Sequence, residues 1–113
     1  KMMKIKIRVP MYFAEITVLI GEYKEMILVA PNPARPHMAD TYMARTLHNF
    51  DGKKNHVVIH SRSAAISVIA HEAVHAASFI FDQIGAKADF NNDEHVAYLV
   101  QYICQKVEDK LFK

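Results

Sequence analysis

Two histidines, His71 and His75, bracket a glutamate in the run His71-Glu72-Ala73-Val74-His75, which has the pattern HExxH. Residues four apart on an α-helix share a face, so both imidazoles can be presented to one cation. Glu72 is rotated by about 100° from His71, which sets its carboxylate beside that cation rather than on it. A carboxylate so placed can hold a water at the metal and take its proton. The chemistry is that of a zinc hydrolase, with two histidine ligands and a glutamate general base. The chain holds seven histidines in 113 residues. A chance HExxH in such a composition has a probability of roughly 0.02, so the surroundings of the motif must decide. Those surroundings are helical and small-residue rich: Ala70, Ala73, Ala76, Ala77 and Ser78 flank the motif and would let another element approach the metal face.

Zinc held by two histidines needs a third protein ligand, with the fourth position left for water. Glu94, 19 residues beyond His75, is the leading candidate, and Asp93 and His95 are its neighbours and competitors. For Glu94 to serve, its helix must be covered on both sides, with Glu94, Ala97, Tyr98 and Gln101 turned to the metal helix. Asp93 sits nearer the apolar stripe of the same helix and is the alternative ligand.

The elements that must position these residues are read from periodicity. Lys4 to Val9 alternates charged and β-branched residues, which predicts a half-buried strand with Ile5, Ile7 and Val9 inward, stopped by Pro10. Glu15 to Ile20 predicts a second strand ended by Gly21. Tyr23, Met26, Ile27 and Ala30 have the spacing of a short amphipathic helix, with a strand over Met26 to Val29 as the alternative, before Pro31, Pro33 and Pro36 break regular structure. Tyr42 to His48 and His56 to His60 predict two more strands, joined across an Asp51-Gly52 turn. Ser61 and Ser63 are both candidate N-caps for a helix beginning just beyond them. Ala64 to Ile84 contains no Pro or Gly and predicts one long helix, closed by Gly85. A last helix, capped by Asn92 or Asp93, runs to about Leu111 with the stripe Val96, Leu99, Val100, Ile103 and Val107. Strands first and helices last predict an α+β domain, residues 1–113, with helices packed on a mostly antiparallel sheet.

A helix-borne HExxH followed by a glutamate that opens a second helix resembles the zincin metallopeptidases of the gluzincin type, over residues Asn55 to about Ile103. The small size is similar to that of short zincin-like proteins of phages and bacteria. The resemblance implies Zn²⁺ bound by His71, His75 and Glu94, with Glu72 as general base. It also implies an edge strand just before the metal helix, here Asn55 to His60, that pairs with an extended substrate. A peptidase of this kind attacks an amide carbonyl, and the oxygen of that carbonyl gains negative charge that a donor must stabilise. His60, Arg62, His95, Tyr98 and Tyr102 are the candidates for that donor; His60, Arg62 and Tyr98 stand nearest the motif or one turn beyond Glu94. Larger family members carry a C-terminal domain that supplies this donor, and an Asp often stands one turn after the ligand glutamate, where this chain has Tyr98. The alternative is a zincin-like metal-binding module that acts by contacting a protein partner without catalysis.

Composition narrows the remaining classes. Apolar residues make up 51% and charged residues 23%, so disorder is not expected. A net charge of +2 gives no reason to expect a nucleic-acid or membrane partner, so the expected partner is a protein or peptide. No apolar run approaches the roughly 18 residues of a membrane span, and the N-terminus lacks the apolar core of a signal peptide. With one cysteine, Cys104, and hence no internal disulfide, a cytoplasmic location is expected. His37, His48 and His56 read as polar surface groups, and Cys104 as a thiol within an apolar helix rather than a nucleophile.

Overall fold

The computed structural model describes residues 3–22, 43–48, 55–85 and 94–112. The helix expected at Tyr23 to Ala30, the Asp51-Gly52 turn, His37, Asn92 and Asp93 lie outside those residues. Strand β1, Met3–Val9, buries Ile5, Ile7 and Val9 and exposes Lys4, Lys6 and Arg8, as alternation requires. Pro10 ends it by opening a 3-10 turn, Pro10–Tyr12. Phe13 closes the turn with a left-handed φ of 52° and donates its N–H to the Pro10 carbonyl at 3.1 Å. The chain returns as β2, Ala14–Ile20, antiparallel to β1 with Ile7 opposite Ile16. Strands β3, Ala44–His48, and β4, His56–Ser61, form a second antiparallel pair with Thr46 opposite Ile59.

Among the described residues the strands form one sheet in the order β1-β2-β4-β3. The fold is α+β. Its sheet is mixed, because the central pair β2 and β4 is parallel, with Ile16 beside Val57 and Val18 beside Ile59. The physical reason lies in the residues of those two strands. Ile16 to Ile20 and Val57 to Ile59 do not alternate apolar with charged residues. They are buried on both faces, with Thr17, Leu19 and Val58 closed off nearly as fully as Ile16, Val18 and Val57, as parallel strands usually are. The order also corrects the expectation for the edge. β4 is interior, and the edge strand beside the HExxH helix is β3.

Helix α1, Ile66–Gln83, carries the motif. It starts later than the serines suggested, with Ala65 at the N-cap and no side-chain cap. Ser63 Oγ accepts the Ala65 N–H at 3.0 Å, and Ser61 Oγ accepts the Ser63 N–H at 3.0 Å. The serines therefore shape the turn out of β4 and do not cap the helix. Gly85, with φ of 82°, ends it as expected. Helix α2, Glu94–Leu111, buries Val96, Leu99, Ile103 and Val107. These residues join Ile69, Ala73, Ala76, Ala77, Ile80 and Phe81 of α1 and the Ile5, Ile7, Ile16, Val18, Val57 and Ile59 side chains of one sheet face in a single core. The alanines around the motif thus serve the core. Ala73, Ala76 and Ala77 are fully buried and bring α1 close to the sheet and α2, not another element close to the metal face.

Candidate metal centre

The 18-residue helix α1 turns one stripe to the core and leaves His71 and His75 on the solvent side, both exposed. Their rings stand 5.2 Å apart between centroids in an edge-to-face arrangement. That spacing fits the donor chemistry of zinc. With Zn–N bonds of about 2.0–2.1 Å, two imidazoles on one tetrahedral ion have centres roughly 5 Å apart.

Glu72 is the unusual residue of the triplet. A helical glutamate between two exposed histidines could lie in solvent, yet Glu72 is only 6% exposed. Its carboxylate is held from the edge strand: Thr46 Oγ1 donates to Glu72 Oε1 at 2.7 Å. The same hydroxyl stands 3.2 Å from the Glu72 carbonyl oxygen, but its one proton goes to the nearer, charged acceptor. The other carboxylate oxygen, Oε2, lies 3.9 Å from His71 Nε2. One oxygen is therefore anchored to β3 while its twin faces the histidine side. Farther along the same strand, the His48 ring stacks on Phe79 with centroids 4.2 Å apart and planes 17° from parallel. Thr46 and His48, two residues apart on one face of β3, thus fasten the edge strand along α1.

Thr46 is the contact to Glu72 that the sequence did not give away. The seven-residue connection Asn49 to Asn55 leaves the β3–β4 register open. A one-residue slip would turn Thr46 to the other face. His48, read as a surface group, is engaged with Phe79 for the same reason.

Other expected site residues are not brought to the pair. His60 is fully buried, and strand alternation puts it on the sheet face opposite Ile59 and α1. It makes a 2.9 Å hydrogen bond with the Gly21 carbonyl oxygen through Nε2, which donates its N–H. Burial, opposed by that hydrogen bond, holds the imidazole below its ordinary value. His60 is therefore a structural group under the sheet and not a donor to the site. Arg62 is turned to Glu22, with Nη2 3.3 Å from Oε1. Tyr102 spends its hydroxyl on the Arg8 carbonyl at 2.9 Å. Tyr98 is 63% exposed.

The expected double covering of α2 is not found. Glu94, His95, Ala97, Tyr98 and Gln101 are all exposed, because α2 buries a single stripe and these positions lie away from it. Among the described residues, no three His, Cys, Asp or Glu side chains converge as a metal-ligating group. The structure brings together His71, His75 and Glu72, and does not bring Glu94 or His95 to them. Cys104 is half-buried, and burial, reinforced by Glu108, raises its thiol above the ordinary value, which opposes a nucleophilic role.

No family model, curated protein or solved structure matches this chain. No helix among the described residues is long and apolar enough to cross a membrane.

Proposed function

We propose that this protein is a zinc-dependent metallohydrolase acting on peptide bonds, with His71 and His75 as ligands and Glu72 as general base. The observation that carries the reading is the Thr46 hydrogen bond, which holds the buried Glu72 carboxylate beside the exposed histidine pair. Zinc, when bound, supplies a Lewis acid that acidifies a water and polarises the substrate carbonyl. Glu72 does the proton work. Oε1 is fixed by Thr46, so Oε2 on the His71 side takes the proton of the attacking water and returns it to the leaving nitrogen. Of the candidates for a third ligand, Glu94 and His95 do not join the pair among the described residues, so the reading rests on His71, His75 and Glu72. The edge role that the zincin resemblance gave to Asn55–His60 passes to β3, which borders α1 and carries Thr46 to the base. The single cysteine suits a reducing, cytoplasmic setting.

A second reading is favoured by the exposure of Glu94 and His95: the histidine pair binds metal in a module that contacts a protein partner without catalysis. One experiment separates the two. Zinc-loaded protein and its Glu72→Gln variant are assayed on a quenched-fluorescent peptide library, with metal content measured in parallel. The hydrolase reading expects the variant to keep its zinc and lose turnover by about 10²-fold or more. Equal turnover in both, or no turnover in the zinc-loaded wild type, overturns it, and the latter with zinc retained supports the module.

A further inference from the structure

Among the described residues the sheet has a second edge, β1, on the side away from β3, and the hydrolytic reading makes no use of it. A groove of about 590 Å³ runs beside it, lined by Lys4, Ile5 and Lys6 of β1 and by Lys106, Asp109 and Lys110 of α2. Four lysines and one aspartate contribute to its lining. The aspartate is engaged along its own helix, where Gln105 Nε2 donates to Asp109 Oδ1 at 2.9 Å. None of the four lysines has an ion-pair partner among the described residues. Lys106 lies 5.4 Å above the centre of the Tyr102 ring.

Tyr102 also reveals which way the edge faces. Its hydroxyl donates to the Arg8 carbonyl, so that carbonyl points out of the sheet to α2 and not in to β2. In an antiparallel strand the outward positions recur every second residue. The N–H and C=O groups of Lys6 and Lys4 therefore also face outward, at the two strand lysines that line the groove.

We propose that this groove takes an extended acidic peptide segment of a partner protein, added to β1 as a further strand. Its backbone bonds to Lys4 and Lys6, and its carboxylates lie among the four lysines. The outward backbone groups favour a peptide over a nucleic acid, because a phosphodiester chain has no ladder of N–H and C=O groups to offer. The same lysines oppose pairing between two copies of β1, since that would set like charges against each other. The surface lies across the sheet from the histidine pair and does not depend on the proposed hydrolysis.

The probe is a fluorescein-labelled decapeptide that alternates glutamate with threonine, titrated by anisotropy at about 50 mM salt to limit screening. A second peptide of equal charge carries N-methyl groups at alternate residues and cannot complete the ladder. The expected result is saturable binding that weakens by about tenfold or more in Lys4→Glu/Lys6→Glu and in Lys106→Glu/Lys110→Glu. The N-methylated peptide should lose binding by a similar factor, and the Lys4 and Lys6 amide resonances should shift on addition of the first peptide only. All four lysines are exposed, so the variants are expected to keep the wild-type circular dichroism spectrum. Equal binding of the N-methylated peptide, tighter binding of an oligothymidylate, or no saturation up to about 1 mM peptide each overturns the proposal.

Discussion

Replacing Thr46 by valine removes one hydroxyl and keeps a β-branched side chain suited to a strand. The hydroxyl donates to Glu72 Oε1 at 2.7 Å, and the acceptor belongs to a residue only 6% exposed. A hydrogen bond to a charged group contributes about 1.5–3 kcal/mol. His71 Nε2, 3.9 Å from the opposite oxygen, is beyond hydrogen-bond reach and does not replace it. Partial access of water to the carboxylate lowers the cost, so the expected destabilisation at neutral pH is about 2 kcal/mol. Urea unfolding followed by circular dichroism reads this as a lower midpoint at unchanged slope. In a Glu72→Gln background the acceptor is neutral, and the same replacement should cost only about 1 kcal/mol. The difference is the coupling between the strand hydroxyl and the charge. Zinc affinity should change little, since Thr46 touches the base and not the ligands. A Thr46→Val cost below about 0.5 kcal/mol, or the same cost in both backgrounds, would show that the hydroxyl does not hold a charged carboxylate.

Three further outcomes are expected. His60, held below its ordinary value by burial, stays neutral in the fold while the unfolded chain takes up a proton near pH 6.5. Stability is therefore full above that pH and falls as pH drops toward the folded value. Thermal melts between pH 7.5 and 5.5 should slope by up to about 1.4 kcal/mol per pH unit for this group, and His60→Gln should flatten the slope. Gly85→Ala meets no atom within 4 Å of the added carbon, so its cost is that of the left-handed backbone alone, about 1–2 kcal/mol by denaturant titration. Ile103, fully buried between α2 and the rest of the core, should cost about 2–5 kcal/mol on replacement by alanine.

Elements with a clear period were legible from the residues. The alternation Ile5, Ile7, Val9 and the stripe Val96, Leu99, Ile103, Val107 name the buried faces of β1 and α2 correctly. Gly85 marks the end of α1 because the left-handed φ there suits glycine. The parallel pairing of β2 with β4 was open to reading in their unbroken apolar runs, but a run of that kind does not name its neighbour. The site divides in the same way. The relation of His71 to His75 is local helical geometry, and the rings stand together as the spacing requires. The Thr46 contact depends on the β3–β4 register and on which strand forms the edge, both long-range facts that the HExxH letters do not contain. Glu94 fails to reach the pair because α2 buries one stripe, and a wheel that centres that stripe opposite Glu94 leaves the carboxylate in solvent.

If His71 and His75 form the core of a zinc site, native mass spectrometry with zinc supplied in slight excess should find one zinc per chain in the wild type and in Glu72→Gln, lost in His71→Ala and in His75→Ala. A wild type that takes up no zinc, or single histidine variants that hold it as the wild type does, would contradict it.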